Sequence, residues 1–81
     1  MSEPKDGLRV GVIHGPGNAI KPVWFDLNRR KHSIREITNC WRERRGEATL
    51  LHFHVVDEGA LYELVYNLAS GCWLLEQIES L

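Results

Sequence analysis

The sequence predicts a mainly β fold, a small antiparallel meander of five to six strands that forms a twisted sheet or an open barrel. Three observations favour this class. Several segments alternate apolar and polar residues, turn residues separate them at short spacing, and the stretch 61–78 has the pattern of a complete β-hairpin. With 81 residues the chain can form one small core. We therefore expect a single domain over 1–81, with its core in 22–78 and with residues 1–7 disordered.

The hairpin pattern also predicts a register. Residues 67–72 (NLASGC) supply a turn that places Tyr66 opposite Trp73. On the other side of the same pair of strands, Glu63 falls opposite Glu76. Because two facing carboxylates are costly in a core, we expect the aromatic side to point inward. That side comprises Tyr62, Leu64, Tyr66, Trp73 and Leu75. The alternative is an exposed aromatic platform that stacks bases or a peptide.

The other strands are predicted at 8–14, 23–27 and 49–56, and the segment 33–45 is ambiguous. Ser33 followed by Glu36 matches a capping box, which would begin a helix at about 33–45 and make the class α+β. We predict a strand instead, with a bulge near 35–36. The case against the helix is that mediocre helix formers fill much of the segment, namely Ile34, Ile37, Thr38, Asn39, Cys40 and Trp41, and that the strand at 23–27 needs an adjacent partner.

Charge divides the chain into two halves. The net charge is only -1, but residues 1–46 hold all ten Lys and Arg, whereas residues 47–81 hold six acids and no base. The two halves can neutralise each other internally, or the basic residues can face an anionic partner. The candidate basic face contains Arg29, Arg30, Lys31, Arg35, Arg42, Arg44 and Arg45. A pI near 6.4 and the aromatic rings assigned to the core weigh against a nucleic-acid partner.

The sequence contains little that indicates catalysis. His52 and His54 leave the same face of a strand and are weak candidates for metal ligands, but two ligands do not make a site. There is no nucleophile elbow, no HExxH motif and no phosphate-binding loop. We therefore expect no enzyme activity, no metal and no cofactor.

The leading functional hypothesis is a non-catalytic protein-interaction or assembly module, with an unknown protein partner or self-association. The alternative is a nucleic-acid-binding accessory domain that uses the basic segment 29–45. An open edge strand or a leftover apolar patch would carry the interaction. The patch comprises Leu50, Val56, Leu61, Val65, Leu74 and Ile78. We expect that it is covered either by the N-terminal strand or by self-association.

From the sequence we expect neither a membrane-spanning segment nor secretion. Charges interrupt every apolar run, and the N-terminus lacks the apolar stretch of a secretory signal. Cys40 and Cys72 form no CxxC pair, so free thiols are expected. We predict a cytoplasmic protein without membrane contact.

Four patterns together resemble a group of short, uncharacterised bacterial β domains of unknown function. They are the aromatic strand at 23–27, I-x-x-I-x-x-x-W at 34–41, Y-E-L-x-Y at 62–66 and S-G-x-W at 70–73. The similarity covers about 22–78. It implies a small β domain and brings no catalytic residue with it.

Overall fold

The computed structural model describes residues 8–81, which form seven strands in two antiparallel sheets. The three-stranded sheet has the order β1 (Arg9–His14), β2 (Ile20–Leu27) and β3 (Arg30–Ser33), with a short 3-10 turn at Pro16–Asn18 between β1 and β2. The four-stranded sheet has the order β4 (Glu36–Arg45), β5 (Ala48–Val56), β6 (Ala60–Asn67) and β7 (Cys72–Ser80). The mainly β antiparallel meander is confirmed, with seven strands instead of five or six. The prediction for residues 1–7 lies outside the described range.

The additional strand arises because the segment 33–45 changes sheets and does not form a helix. Ile34 N–H donates to the carbonyl of Val23 in the three-stranded sheet, at 3.0 Å. The next residue, Arg35, donates its N–H to the carbonyl of Val56 in the four-stranded sheet, at 2.8 Å. The strand preference was therefore right, but the expected bulge at 35–36 is a strand break. The bulge lies instead at Thr38, between Ile37 and Asn39.

The two sheets pack face to face around an aromatic core. Phe25 of β2 is fully buried, and its ring meets Tyr62 of β6 edge to face, with centroids 4.8 Å apart. Trp73 packs on Phe53 and Tyr66, which confirms that the aromatic side of the hairpin points inward. Residues before position 22 also belong to the fold, since apolar side chains of β1 pack on this core. Within residues 8–81, no helix is long and apolar enough to cross a membrane.

The register of the β6–β7 hairpin is confirmed near the turn and wrong beyond it. Tyr66 faces Trp73 and Leu64 faces Leu75, as predicted. A bulge then takes one extra residue, Glu76, out of the pairing, so that Glu63 faces Gln77. The expected clash of Glu63 with Glu76 does not occur. Such a one-residue shift removes the repulsion between two carboxylates that would otherwise face each other.

Candidate functional site

A hydrogen-bonded network of side chains lies on the outer face of the four-stranded sheet. His52 is only 4% exposed, and both of its ring nitrogens meet carboxylates. Nδ1 lies 2.8 Å from Glu63 Oε2, and Nε2 lies 2.6 Å from Glu43 Oε1. His54 Nε2 lies 3.2 Å from the second oxygen of Glu63. Glu63 thus bridges the two histidines, with one carboxylate oxygen against each ring.

The network keeps its two glutamates ionised. The hydrogen bond from His52 lowers the pKa of Glu43, and the neighbouring Arg45 guanidinium adds to this effect against partial desolvation. Burial acts to raise the pKa of Glu63, but hydrogen bonds from His52 and His54 outweigh it, so this pKa is also lowered. The partners of Glu63 are therefore the two histidines of β5, and no residue of the basic segment 29–45 pairs with it.

The same network holds β4 against β5. The indole of Trp41 stacks on the His52 ring with centroids 4.8 Å apart and planes 7° apart, and it meets His54 edge to face. Glu43, two residues further along β4, contacts Nε2 of the same ring. The shared face of His52 and His54 was predicted, but the two residues of β4 were missed. The turn at Gly46–Glu47 could have indicated them. A hairpin about this turn pairs the strand 36–45 with β5 and sets Trp41 opposite His52.

No metal site emerges around these histidines. Across residues 8–81, no group of three or more His, Cys, Asp or Glu side chains has an arrangement that could hold a metal ion. The nitrogens of His52 are occupied by hydrogen bonds to carboxylates. The network therefore consists of charge-assisted hydrogen bonds that link β4, β5 and β6.

A second cluster centres on Asp57 in the β5–β6 connection. Its Oδ1 accepts the backbone N–H of Gly59 and of Ala60, while its Oδ2 accepts from the Tyr62 hydroxyl at 3.0 Å and from His32 Nδ1 at 2.9 Å. Burial opposes ionisation, but these hydrogen bonds outweigh it and lower the pKa of Asp57 to about 2. The His32 contact ties β3 to the opposite sheet.

The seven predicted basic residues do not lie side by side. Arg30, Lys31 and Arg35 line one groove, which also contains Asp57 and Glu58. Arg42, Arg44 and Arg45 lie near the far end of β4, about 20 Å further along an extended chain. Arg29 is in the turn between β2 and β3. The groups thus sit on different sheets, and Arg45 is paired with Glu43 at 3.1 Å.

The predicted apolar patch lies on the outer face of the four-stranded sheet, but the facing pair His54 and Glu63 separates Val56 and Leu61 from the rest. Leu50, Val65 and Leu74 line a small cavity of about 170 Å³ there. Ile78 is the exception, because the bulge at Glu76 moves it to the side of Tyr62. Strand β1 packs on the inner face of this sheet, so the expected cover by the N-terminal strand is wrong for this patch.

The open edge of β4 is the longest unpaired strand edge in the described chain. β4 is the first strand of its sheet and pairs only with β5. Eight of its ten residues are exposed, including Cys40 and Trp41, the latter at 37%. The network on His52 nevertheless holds the strand in place. A fixed strand with unpaired backbone groups is a template for strand addition.

Comparison of the chain with protein families, with curated proteins and with solved structures found no match. The resemblance to short bacterial β domains therefore stays a prediction.

Proposed function

We propose that this protein is a non-catalytic assembly module in which two copies join through the open edges of their β4 strands. The observation that carries the proposal is the ten-residue strand β4, which is paired on one side only and has eight exposed residues. Addition of a second antiparallel β4 satisfies the backbone groups of both edges and makes one continuous eight-stranded sheet. The free state of Cys40 and Cys72 supports a reducing, cytoplasmic setting for this assembly.

The charge pattern of β4 supports pairing with itself. Charged side chains on an edge strand normally discourage pairing. In β4, however, the acid Glu36 lies at the beginning and Arg44 and Arg45 lie at the end. An antiparallel copy centred on Trp41 places the two indoles opposite each other. The bulge at Thr38 takes up one residue, so Glu36 of each copy falls opposite Arg45 of the other. No like charges face each other in this register.

The rigidity of β4 supports the proposal as well. Trp41 and Glu43 are already held by His52 before any partner arrives. Strand addition therefore costs little ordering of β4, which is the advantage of a preorganised surface. The apolar cavity beside Leu50, Val65 and Leu74 is close to the end of β4, since Arg45 and Ala48 also line it.

Sedimentation equilibrium over a wide range of protein concentration tests the proposal. We expect a monomer–dimer equilibrium that Glu36→Arg weakens, since this change sets like charges opposite each other. The double variant Glu36→Arg, Arg45→Glu exchanges the two charges and should recover the dimer. Glu79→Arg on β7 is the matched control and should leave the equilibrium unchanged.

Amide hydrogen exchange locates the contact. In the dimer, the outward-facing amides of residues 39–45 should exchange more slowly than at low protein concentration. A chain that remains monomeric at every concentration, with fast exchange along β4, contradicts the proposal. A dimer that Glu36→Arg alone does not weaken also contradicts it.

A further inference from the structure

Charge is segregated between the two sheets to a degree that the net charge conceals. Residues 8–35, which contain the three-stranded sheet, carry one acidic side chain, Asp26. Against it stand six basic side chains: Arg9, Lys21, Arg29, Arg30, Lys31 and Arg35. Residues 36–81 carry eight acids and three bases. The three-stranded sheet is therefore strongly basic, although the pI of the whole chain is slightly acidic.

The outer face of the three-stranded sheet presents an aromatic ring among these charges. Phe25 and His32 form an inward row, so the neighbouring rows point outward. One of these rows contains Gly11, Trp24 and Ser33, and the other contains Arg9, Asp26 and Lys31. The Lys31 ammonium lies over the Trp24 ring, 4.8 Å from its centroid. Arg9 pairs with Asp26 at 3.5 Å.

Trp24 lies flat across the sheet because the residue beside it is a glycine. An atom at the Cβ position of Gly11 would overlap the indole. The ring therefore spreads over the backbone of β1 and stays partly exposed. Most aromatic residues of this chain pack in the core, whereas this ring covers a glycine at the surface.

The free side of β1 extends this surface into a groove. The groove has a volume of about 420 Å³. Its aromatic walls are Trp24, Tyr66 and Trp73, and two basic side chains, Arg9 and His14, line it as well. The volume is in the range of pockets that hold small planar ligands.

We propose that this surface, the outer face of β1–β3 with the groove beside β1, binds single-stranded nucleic acid. Unpaired bases stack on aromatic rings, and cationic side chains follow the phosphates; both elements are present within one sheet. In this arrangement a base displaces the Lys31 ammonium from the Trp24 ring and stacks there, and a second base enters the groove. Lys31 and Arg9 contact phosphates. In a duplex the faces of the bases are covered by neighbouring bases. A duplex can therefore bind this surface only through its phosphates and the basic side chains.

The single acid on this face makes the proposal specific. Asp26 holds Arg9 and repels a phosphate backbone. Its removal should therefore strengthen binding of nucleic acid and should not help a neutral ligand. An acidic peptide is also attracted to the basic residues, but polyglutamate has no planar ring that could stack on Trp24.

Fluorescence anisotropy with labelled single-stranded DNA and RNA, with duplex DNA and with polyglutamate tests this inference. We expect single strands to bind more tightly than duplex or polyglutamate, with affinity that falls as salt rises. Trp24→Leu should weaken binding about tenfold or more, and Trp24→Phe less. Lys31→Gln should lower the salt slope by about 0.7, the share of one phosphate contact on a single strand. Asp26→Asn should tighten binding.

Arg44→Gln on the opposite sheet is the control and should leave binding unchanged. Thermal melts identify any variant that fails to fold, and chemical-shift changes of the Trp24 indole N–H on titration locate the contact without mutation. Three results overturn the proposal: no binding of single strands at low salt, equal affinity for polyglutamate, or a loss with Arg44→Gln as large as with Lys31→Gln. None of these results depends on whether β4 forms a dimer.

Discussion

The indole of Trp24 occupies the space that a side chain on Gly11 would need, and the two residues face each other across β1 and β2. A glycine in a strand interior normally weakens the strand. Here it allows a large ring to lie against the backbone of the adjacent strand. The pair explains why β1 tolerates Gly11 and why Trp24 remains at the surface.

Gly11→Ala should therefore destabilise the protein by about 1 to 3 kcal/mol, because the new methyl group forces the indole off the sheet. Gly59→Ala is the matched control, since a Cβ at that position meets no atom within 4 Å. Urea denaturation measures both changes, and tryptophan fluorescence reports the displacement of the ring. Equal effects of the two substitutions would refute this account of Gly11.

Arg29→Gly should stabilise the protein by about 0.5 to 1 kcal/mol, despite the loss of a side chain. Asn28 and Arg29 both have positive φ, at 53° and 65°, in a two-residue hairpin turn between Leu27 and Arg30. Such a turn prefers Asn-Gly, because glycine adopts positive φ without steric cost. Arg30→Gly removes the same charge from a strand and should destabilise instead. Thermal melts of both variants distinguish a backbone effect from a charge effect.

Asp57→Asn should lower the free energy of unfolding at neutral pH. It should also make that free energy less dependent on pH in the acid range. The pKa of Asp57 in the fold is about 2, below its ordinary value of 3.8. Its stabilisation is therefore fully present above about pH 4 and disappears as the pH falls through about 2. The shift corresponds to about 2 kcal/mol. An Asn at this position can still accept the N–H of Gly59 and Ala60, but its amide nitrogen cannot accept from Tyr62.

Urea denaturation of Asp57→Asn and of the parent protein between about pH 7 and about pH 2 checks this prediction. The difference between the two proteins should shrink as the pH falls. Glu58→Gln, an adjacent and exposed acid, is the control and should not change the profile. A constant difference across the range would show that Asp57 stabilises the turn without its charge.

Glu63→Gln should cost about 2 kcal/mol or more, because it removes the carboxylate that is hydrogen-bonded to both His52 and His54 in a largely buried network. Glu76→Gln makes the same chemical change in the neighbouring strand, at an exposed bulge, and should stay within about 0.5 kcal/mol of the parent. Chemical denaturation at neutral pH compares the two. Similar losses would mean that the His52 network contributes nothing beyond surface charge.

Local sequence patterns by themselves determined the mainly β class, the position of the last hairpin and its register next to the turn. These features depend on neighbours in the chain. Turn residues at 67–72 and the alternation on either side act over a few residues, so Tyr66 and Trp73 could be paired without a structure. The common face of His52 and His54 follows from the same alternation.

Only the tertiary structure decided where pairing breaks and which distant residues meet. The change of sheet at Ile34 and Arg35 depends on carbonyls of Val23 and Val56, which lie far apart in the chain. The bulge at Glu76 moves every later residue of β7 to the opposite face, and local propensity does not place such a bulge. The contacts of Trp24 with Gly11 and of Glu43 with His52 cross strands, so their formation depends on registers that packing of the whole core selects.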